Sequence, residues 1–187
     1  MAFRFQTKKK KKKRKPVNKT TVTYWKKKAW TEFSIYIRLR DALLSSGEET
    51  VLNCCSCDRR YPSFGKGCAQ AGHFIPGRLN AVLFDERQTH GQCYNCNVNL
   101  YGNWVAYEVF MVKLWGKETT EQCKLMKYKL IKYQPYELEE IRDYYKLLHR
   151  TIRTRLARGE HAEVIELLKN RKLDNNGRPK HEDMAED

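Results

Sequence analysis

The sequence predicts an α+β fold in which a small unit of β-hairpin and helix is embedded in α-helices. Three observations indicate this fold. Apolar residues recur at helical spacing near both ends of the chain. The middle segment 51–101 holds glycines and histidines beside short β-like runs such as HFI and AVLF. Two C-x-x-C pairs lie near the two ends of that segment. A chain of 187 residues fits one domain with tails.

The composition indicates a polyanionic partner. The 37 Lys and Arg outnumber the 22 Asp and Glu, so the net charge is +15. Nucleic acid is the first expectation and an anionic membrane surface the second. There is no run of 18 apolar residues, so no transmembrane helix is expected. The basic N-terminus lacks the apolar segment of a secretory signal. We therefore expect a cytoplasmic, reducing compartment, in which cysteines are metal ligands or free thiols.

Four regions are predicted along the chain. Residues 1–20 carry ten Lys or Arg and no acid, so self-repulsion should keep this arm disordered. Residues 21–133 form the core with flanking helices, residues 134–171 a C-terminal helical region, and residues 172–187 a disordered tail. We interpret the arm as a phosphate-binding segment, with a solubilising or localisation tail as the alternative. Its expected DNA-binding residues are Lys8, Lys9, Lys10, Lys11, Lys12, Lys13, Arg14 and Lys15.

Helical periodicity predicts the positions of the first helices. Over residues 21–46 an apolar residue recurs every four positions, and Gly47 is expected to end that helix. The members of the stripe are Trp25, Ala29, Phe33 and Ile37. A second helix is predicted to end at Gly116. Thr119 and Gln122 form a candidate capping box for the next one.

Pro135 is predicted to begin a helix with a continuous apolar stripe. The stripe has the 3-4-3-4 spacing of a packed or coiled-coil helix. Its members are Leu138, Ile141, Tyr145, Leu148 and Ile152. Two interpretations are open, packing on the first helix or formation of a symmetric homodimer. One more short helix is expected in the run HAEVIELLKN.

Two C-x-x-C pairs predict a structural zinc site. Cys54, Cys57, Cys93 and Cys96 supply four thiolates, which suits tetrahedral Zn²⁺ in a closed site. Buried free cysteines or a redox pair are the alternatives. The pairs are separated by 35 residues, more than the roughly 15–20 of a compact zinc ribbon. We therefore expect zinc to clamp the base of an inserted β-hairpin, with a helix starting near Cys93, in a ββα arrangement.

His73 and Asn103 have side chains suited to phosphodiester hydrolysis. A neutral imidazole can take a proton from water near pH 7. A hard divalent cation held by oxygen ligands can bridge the scissile phosphate and the leaving oxygen. A histidine on the hairpin and an asparagine at the adjoining helix would lie on either side of one phosphate. The alternatives are structural hydrogen bonding for His73 and helix capping for Asn103.

Several motifs in a fixed order resemble a known family. The pattern C-x-x-C … AGH … H-x-Q-C-x-x-C-N … GN is similar to the HNH branch of the ββα-metal nucleases. More narrowly, it resembles the NinG (Rap) recombination nucleases of lambdoid phages. The resemblance covers residues 23–115. The matching motifs are Tyr24-Trp25, Ala71-Gly72-His73-Phe74, Phe84-Asp85-Glu86-Arg87, His90-Gly91-Gln92-Cys93, Cys96-Asn97 and Gly102-Asn103.

The resemblance implies a metal-dependent, HNH-type endonuclease that cuts branched DNA during phage recombination, in the cytoplasm of a bacterial host. Holliday junctions, D-loops and flaps would be its substrates. His73 would be the general base and Asn103 a ligand of a catalytic Mg²⁺ or Mn²⁺. His90 would position the site or contact the phosphate. Alternatively, it would hydrogen-bond to a zinc ligand without contacting the zinc. Outside the arm, Arg78 and Arg87 are expected to bind DNA, although Arg87 could instead pair with the acids beside it.

Three departures from the family pattern leave the metal ligands open. Two lie at or before the base histidine, and in the third Gln88 and Leu100-Tyr101 stand where the family has Asn and Lys. Many HNH enzymes have an acid directly before the base histidine, where this chain has Gly72. The NinG family has an acid slightly upstream of the histidine, where this chain has Gln70. Asp85 is our candidate for the second oxygen ligand, with Glu86 and Asn99 as alternatives. A nuclease fold without turnover is therefore one competing expectation.

Two non-catalytic functions compete with the nuclease. One is a zinc module that binds DNA or RNA, and the other is a basic zinc protein associated with the ribosome. Charge and zinc fit all three functions. Only the pairing of His73 with Asn103 favours the enzyme, because a pure binding module has no use for it.

Overall fold

The computed structural model describes residues 19–178, and the basic residues 8–15 of the arm lie outside them. The predicted α+β class is confirmed: helices surround two small antiparallel sheets. No helix within residues 19–178 is both long and apolar enough to cross a membrane. In chain order, the elements are α1 (Val22–Ser46), β1 (Val51–Asn53), β2 (Arg60–Pro62), β3 (Gln70–His73), β4 (Thr89–Gln92), a π-helical turn (Asn95–Asn99), α2 (Trp104–Leu125), a 3-10 turn (Met126–Tyr128), α3 (Pro135–Ala157) and α4 (His161–Lys169).

Helix α1 is the central support of the fold. The hydroxyl of Thr21 accepts a hydrogen bond from the backbone N–H of Tyr24 and begins the helix. Gly47 ends it in the left-handed region, at φ 76°, as predicted. The predicted stripe is confirmed, because Ala29, Phe33 and Ile37 are fully buried. Helix α1 contacts both sheets as well as α3 and α4.

Helix α3 packs along α1, so its apolar stripe is internal. It begins at Pro135, as predicted, and Gln134 and Glu137 form a capping box at its start. Leu138, Tyr145 and Ile152 are at most 3% exposed and belong to the same core as the buried face of α1. Packing on the first helix is therefore confirmed, and the dimer interpretation of this stripe is wrong. The core joins residues from both predicted regions, 21–133 and 134–171.

Both hairpins pack against α1, and the β3–β4 hairpin also contacts α2. Strand β1 pairs with β2, and β3 pairs with β4 in a register that places Gly72 opposite His90 and His73 opposite Thr89. All of β4 is buried. The long hairpin loop 74–88 connects β3 to β4, and α2 follows after the π-helical turn. The chain thus has the hairpin-then-helix order that the cysteine spacing predicts.

Gly116 divides α2 into two helical segments. Its backbone is non-helical, at φ 80° and ψ 164°, and the helix resumes and continues to Leu125. The predicted helix end at Gly116 is therefore confirmed as a break between two helical segments of α2. The hydroxyl of Thr120 donates to the carbonyl of Gly116 and supports the second half. Thr119 lies inside that half, so the predicted capping box with Gln122 does not form.

The chain after α4 folds back onto the hairpin loop. Arg87 donates to the carbonyl of Asn175, and the backbone N–H of Glu86 donates to the carbonyl of Gly177. A Cβ at Gly177 would lie 1.6 Å from a carboxylate oxygen of Asp85, so only glycine fits there. The predicted disorder from residue 172 is therefore wrong for residues 172–178.

A buried carboxylate ties this C-terminal segment to the core. Glu86 is 1% exposed. Its Oε2 accepts from the Tyr36 hydroxyl at 2.8 Å, and its Oε1 accepts from the Tyr145 hydroxyl at 3.1 Å. Arg171 donates to both carboxylate oxygens at 3.2 Å. One side chain therefore joins α1, the hairpin loop, α3 and the segment after α4.

We expect Glu86→Ala to lower the free energy of unfolding by about 3–5 kcal/mol, because it leaves the Arg171 charge buried without its partner. The matched control is Glu48→Ala, which removes an exposed carboxylate 3.9 Å from Arg60 and should change stability by less than about 0.5 kcal/mol. Urea unfolding followed by circular dichroism measures both. Equal midpoints for the two variants would contradict the structural importance of the network.

Candidate active site and metal centre

Four cysteines converge on one point between the two hairpins. The sulfurs of Cys54, Cys57, Cys93 and Cys96 all lie within 4.8 Å of one another. Those of Cys57 and Cys93 are 3.9 Å apart. Zn–S bonds of about 2.3 Å in a tetrahedron place sulfurs about 3.8 Å apart. The predicted pairing of the two C-x-x-C motifs is therefore present, and the cluster could hold a metal ion such as zinc.

Backbone and amide donors surround the sulfurs. The N–H of Cys93 lies 3.3 Å from the sulfur of Cys54, and the N–H of Cys96 lies 3.4 Å from that of Cys93. Although burial opposes ionisation, hydrogen bonding to the Cys96 backbone and other groups lowers the pKa of Cys93 to about 7. Burial raises the pKa of Cys54 to about 12. Donors of this kind stabilise thiolates, the form in which cysteine binds metal.

Asn103 lies at the cysteine cluster. Its Nδ2 is 3.4 Å from the sulfur of Cys96. The residue has a left-handed backbone, at φ 43°, and its side chain makes no capping hydrogen bond with α2. No hydrogen bond within residues 19–178 joins Asn103 to His73. The geometry therefore gives Asn103 a role beside a cysteine ligand, and its predicted role at a catalytic ion stays a prediction.

His73 is the last residue of β3, and its ring lies in a mostly buried position. It stacks on Trp30 of α1, with ring centroids 4.8 Å apart. Its Nε2 lies 3.2 Å from the carbonyl oxygen of Leu83. A carbonyl only accepts, so Nε2 carries the proton and Nδ1 holds the free lone pair. Burial, with a smaller effect of the charge on Arg78, lowers the pKa of His73 to about 4. The ring is therefore neutral at pH 7.

Arg78 lies beside this histidine in the hairpin loop. Its guanidinium is 4.6 Å from the ring centroid of Trp30, the same indole on which His73 stacks. The side chain is exposed. The predicted phosphate-binding cation Arg78 and the predicted base His73 are thus brought together on one aromatic ring.

His90 is held by charged groups of α1. The guanidinium of Arg40 can only donate hydrogen bonds. Its Nη2 lies 3.0 Å from Nδ1 of His90, so this ring nitrogen is the acceptor. The other ring nitrogen of His90, Nε2, donates to the carbonyl of Arg87 at 3.0 Å. Asp41 lies 3.4 Å from Nδ1. Burial opposes the ionisation of Asp41, but the charge of Arg40 lowers its pKa to about 2. Both ring nitrogens of His90 are occupied, so the geometry fits a positioning role better than contact with phosphate.

Asp85 and Arg87 neutralise each other. The two carboxylate oxygens of Asp85 accept from the Arg87 side chain at 3.0 and 2.8 Å, and Gln88 donates to one of them at 2.9 Å. Asp85 is 1% exposed. Neither its carboxylate nor most of the Arg87 guanidinium is free for a metal ion or for DNA. The alternative interpretation of Arg87, an ion pair with a neighbouring acid, is confirmed.

A cluster of amides to which the sequence analysis assigned no role surrounds Gly72. The Nε2 of Gln92 donates to the carbonyl of Gly102 at 2.6 Å and contacts the Ser56 hydroxyl at 2.7 Å. The Gly102 carbonyl fixes which end of the amide is nitrogen, so Oε1 points to Gly72. That oxygen is buried and has no hydrogen-bond partner in the described part of the chain. A Cβ at Gly72 would lie 2.4 Å from it, so the glycine is needed for this approach.

Asn97 and Gln70 complete the amide cluster. Asn97 donates to Gln70 at 2.6 Å, and its Oδ1 faces the same side of Gly72 as the oxygen of Gln92. Because consecutive side chains of a strand point to opposite faces, the cluster lies on the Gly72 side of β3 and the His73 ring on the other side, against Trp30. The spacing of Gln92 and Asn97 around the second cysteine pair was the signal that could have identified them. By contrast, Asn99 is exposed and bonds Asn95.

The fold and the cysteine cluster define a small α+β protein whose central hairpin is anchored beside a site that could hold a metal ion. The chain belongs to the family described as Bacteriophage Lambda NinG protein, whose model matches residues 3–155. The family expected from the ordered motifs is thereby confirmed.

Curated relatives from several phages support this membership. The chain is 30% identical over 136 residues to protein ninG of Salmonella phage P22, an alignment that covers 65% of this chain and 59% of that protein. It is 30% identical over 103 residues to protein ninG of Escherichia phage 933W and 29% identical over 103 residues to that of Escherichia phage lambda. Both of these alignments cover 54% of this chain and 45% of the relative. The chain thus spans about half the length of these relatives. No solved structure matches it.

Proposed function

We propose that this chain is a metal-dependent endonuclease that hydrolyses phosphodiesters in branched DNA during phage recombination. The observation that carries the proposal is the His73 imidazole, which is neutral at pH 7, donates from Nε2 to the Leu83 carbonyl and stacks on the same indole as the exposed Arg78. A zinc-binding module that only binds nucleic acid needs no such base. The net charge of +15 supports a nucleic-acid substrate.

His73 would act as the general base. Its Nδ1 would take a proton from the attacking water while the water oxygen bonds to phosphorus and the bond to the leaving ribose oxygen breaks. The leaving oxygen would take a proton from solvent. The bond from Nε2–H to the Leu83 carbonyl would hold the tautomer with its lone pair on Nδ1. Arg78, on the same indole, would bind the scissile phosphate.

The amide cluster suits a catalytic divalent ion. Amide oxygens are accepted ligands of Mg²⁺ and Mn²⁺, and the buried Oε1 of Gln92 lacks a partner in the described residues. Gln92 and Asn97 would hold the ion on the Gly72 side of β3, and the phosphate would supply the negative charge that neutral amides lack. When bound, the ion would stabilise charge on the phosphate and the leaving oxygen. The four cysteines would hold a separate, structural zinc.

The test is cleavage of a synthetic four-way junction and a flap beside linear duplex, with Mg²⁺, with Mn²⁺ and with a chelator. We expect metal-dependent cutting of the branched substrates and little cutting of the duplex. The same assay on the His73→Ala chain detects contamination, because a contaminating nuclease would leave the cutting unchanged. Tight junction binding without cutting in either metal would contradict the proposal and favour the non-catalytic zinc module.

A further inference from the structure

One segment of this basic chain is free of positive charge. Lys and Arg make up 37 of its 187 residues, about one in five. Yet from Gln88 to Val112, 25 consecutive residues include neither, and Glu108 is their one acid. The segment covers β4, the second cysteine pair, the π-helical turn and the first half of α2. The segment itself supplies no Lys or Arg for phosphate contacts, and Lys124, which reaches it from the second half of α2, pairs with Glu108.

The same segment exposes large apolar side chains. Their exposed fractions range from 39% to 90%. The residues that form this apolar face are Tyr94, Val98, Tyr101, Val105, Val109 and Val112. Isolated exposed apolar residues are normal, but a run of six without an intervening cation is typical of an interaction surface.

Helix α2 separates a buried side from this exposed side. Tyr107 and Met111 are fully buried, and the Tyr107 hydroxyl donates to the carbonyl of Gly72 at 3.0 Å. Val105, Val109 and Val112 have the i, i+4, i+7 spacing of one helix face and are 71%, 67% and 39% exposed. Valine has little side-chain freedom to lose on contact, which favours its burial in an interface.

Charge and area indicate what covers the apolar face. The six side chains include no Lys or Arg, so they offer no ionic contacts to the phosphates of DNA. An acidic protein would find no complementary charge there. Two copies of a chain with a net charge of +15 repel each other, and a contact through these six uncharged side chains adds no like-charge pair to that repulsion. Its side chains expose on the order of 800 Å², comparable to the area that each partner buries in a standard interface.

We propose that two copies of this chain form a homodimer through the apolar face, with a two-fold axis near α2. Such a contact pairs the face with itself, as in most soluble homo-oligomers. The opposite side of α2 holds β3 through the bond from Tyr107 to Gly72, so the dimer would set two His73 sites at a fixed separation. The inference stands on surface chemistry and does not require that either site cleaves DNA.

The test is sedimentation velocity of the full chain over a range of concentrations, without DNA. We expect a dimer for the native chain. Val109→Asp places two carboxylates at the centre of the contact and should raise the dimer dissociation constant by roughly 100-fold or more. Val105→Asp is a second, independent variant with the same expectation. Circular dichroism and the bound zinc of each variant check that it remains folded.

The matched control is Leu147→Asp. Leu147 is 66% exposed on α3, almost the same as Val109, and lies outside the apolar face. It should leave the dimer intact. The proposal is overturned if the native chain is monomeric at every concentration, if Val109→Asp dimerises as tightly as the native chain, or if Leu147→Asp weakens the dimer equally. If the full chain is monomeric but a chain without residues 1–18 dimerises, the N-terminal segment covers the face. That result would also overturn the proposal.

Discussion

Replacing His73 by Ala should lower the rate of junction cleavage by about 10²- to 10⁴-fold, the range for loss of a general base. Junction affinity should stay close to that of the native chain, because phosphate contacts by Lys and Arg carry most of the binding. Single-turnover cleavage and a gel-shift assay on the same four-way junction measure the two quantities. His161→Ala, which removes an exposed histidine at the start of α4, is the matched control and should cut at the native rate.

The pH dependence distinguishes a base from a structural histidine. A base must be neutral to accept a proton, so the rate should fall as the pH drops through the pKa of His73. Burial and the charge on Arg78 lower that pKa to about 4, so activity should persist well below the ordinary histidine value of about 6.5. Arg78→Ala should raise the midpoint, because it removes a positive charge that disfavours the imidazolium. Equal rates for His73→Ala and His161→Ala would contradict the assignment of the base.

Local sequence signals predicted much of this fold. The four-residue stripe in α1, Gly47 at its end and Pro135 at the start of α3 are each decided by neighbours within a few positions, and each is confirmed. The two C-x-x-C pairs are a stronger case, because four thiolates at this spacing have few other uses in one chain. The spacing of the two pairs was enough to predict that Cys54 lies close to Cys93.

Contacts between distant segments were beyond the reach of the same reasoning. Glu86 and Arg171 are 85 positions apart, and nothing local shows that one neutralises the other. The acid Asp85 was interpreted as a metal ligand because carboxylates bind divalent ions, but its nearest cation, Arg87, occupies it. Likewise, the lack of an acid at Gly72 suggested a missing ligand. In the fold, the small residue admits the side chain of Gln92, which no periodic pattern indicates.

Replacing Cys93 by Ser should abolish stoichiometric metal binding and unfold the region around the two hairpins. Cys93 contributes its sulfur to the cluster and also contacts the sulfur of Cys54 through its backbone N–H. Structural zinc contributes on the order of 10–16 kcal/mol in small domains, comparable to the whole stability of a typical protein. The core between α1 and α3 contains none of the cysteines, so much of the helical circular dichroism signal should remain. The amides of the hairpins should lose their protection from hydrogen exchange.

Cys68→Ser is the matched control for this loss. Cys68 is one of the chain's seven cysteines but lies outside the cluster, where its sulfur contacts Arg38 at 3.4 Å. This variant should bind one zinc ion per chain, as we expect of the native protein, when metal is measured by elemental analysis after purification under reducing conditions. A strong chelator should lower the unfolding temperature of both the native and the Cys68→Ser chains but not that of Cys93→Ser. A native chain that is folded and free of zinc, or a Cys93→Ser chain that retains it, would contradict a structural zinc site and leave four buried thiols in its place.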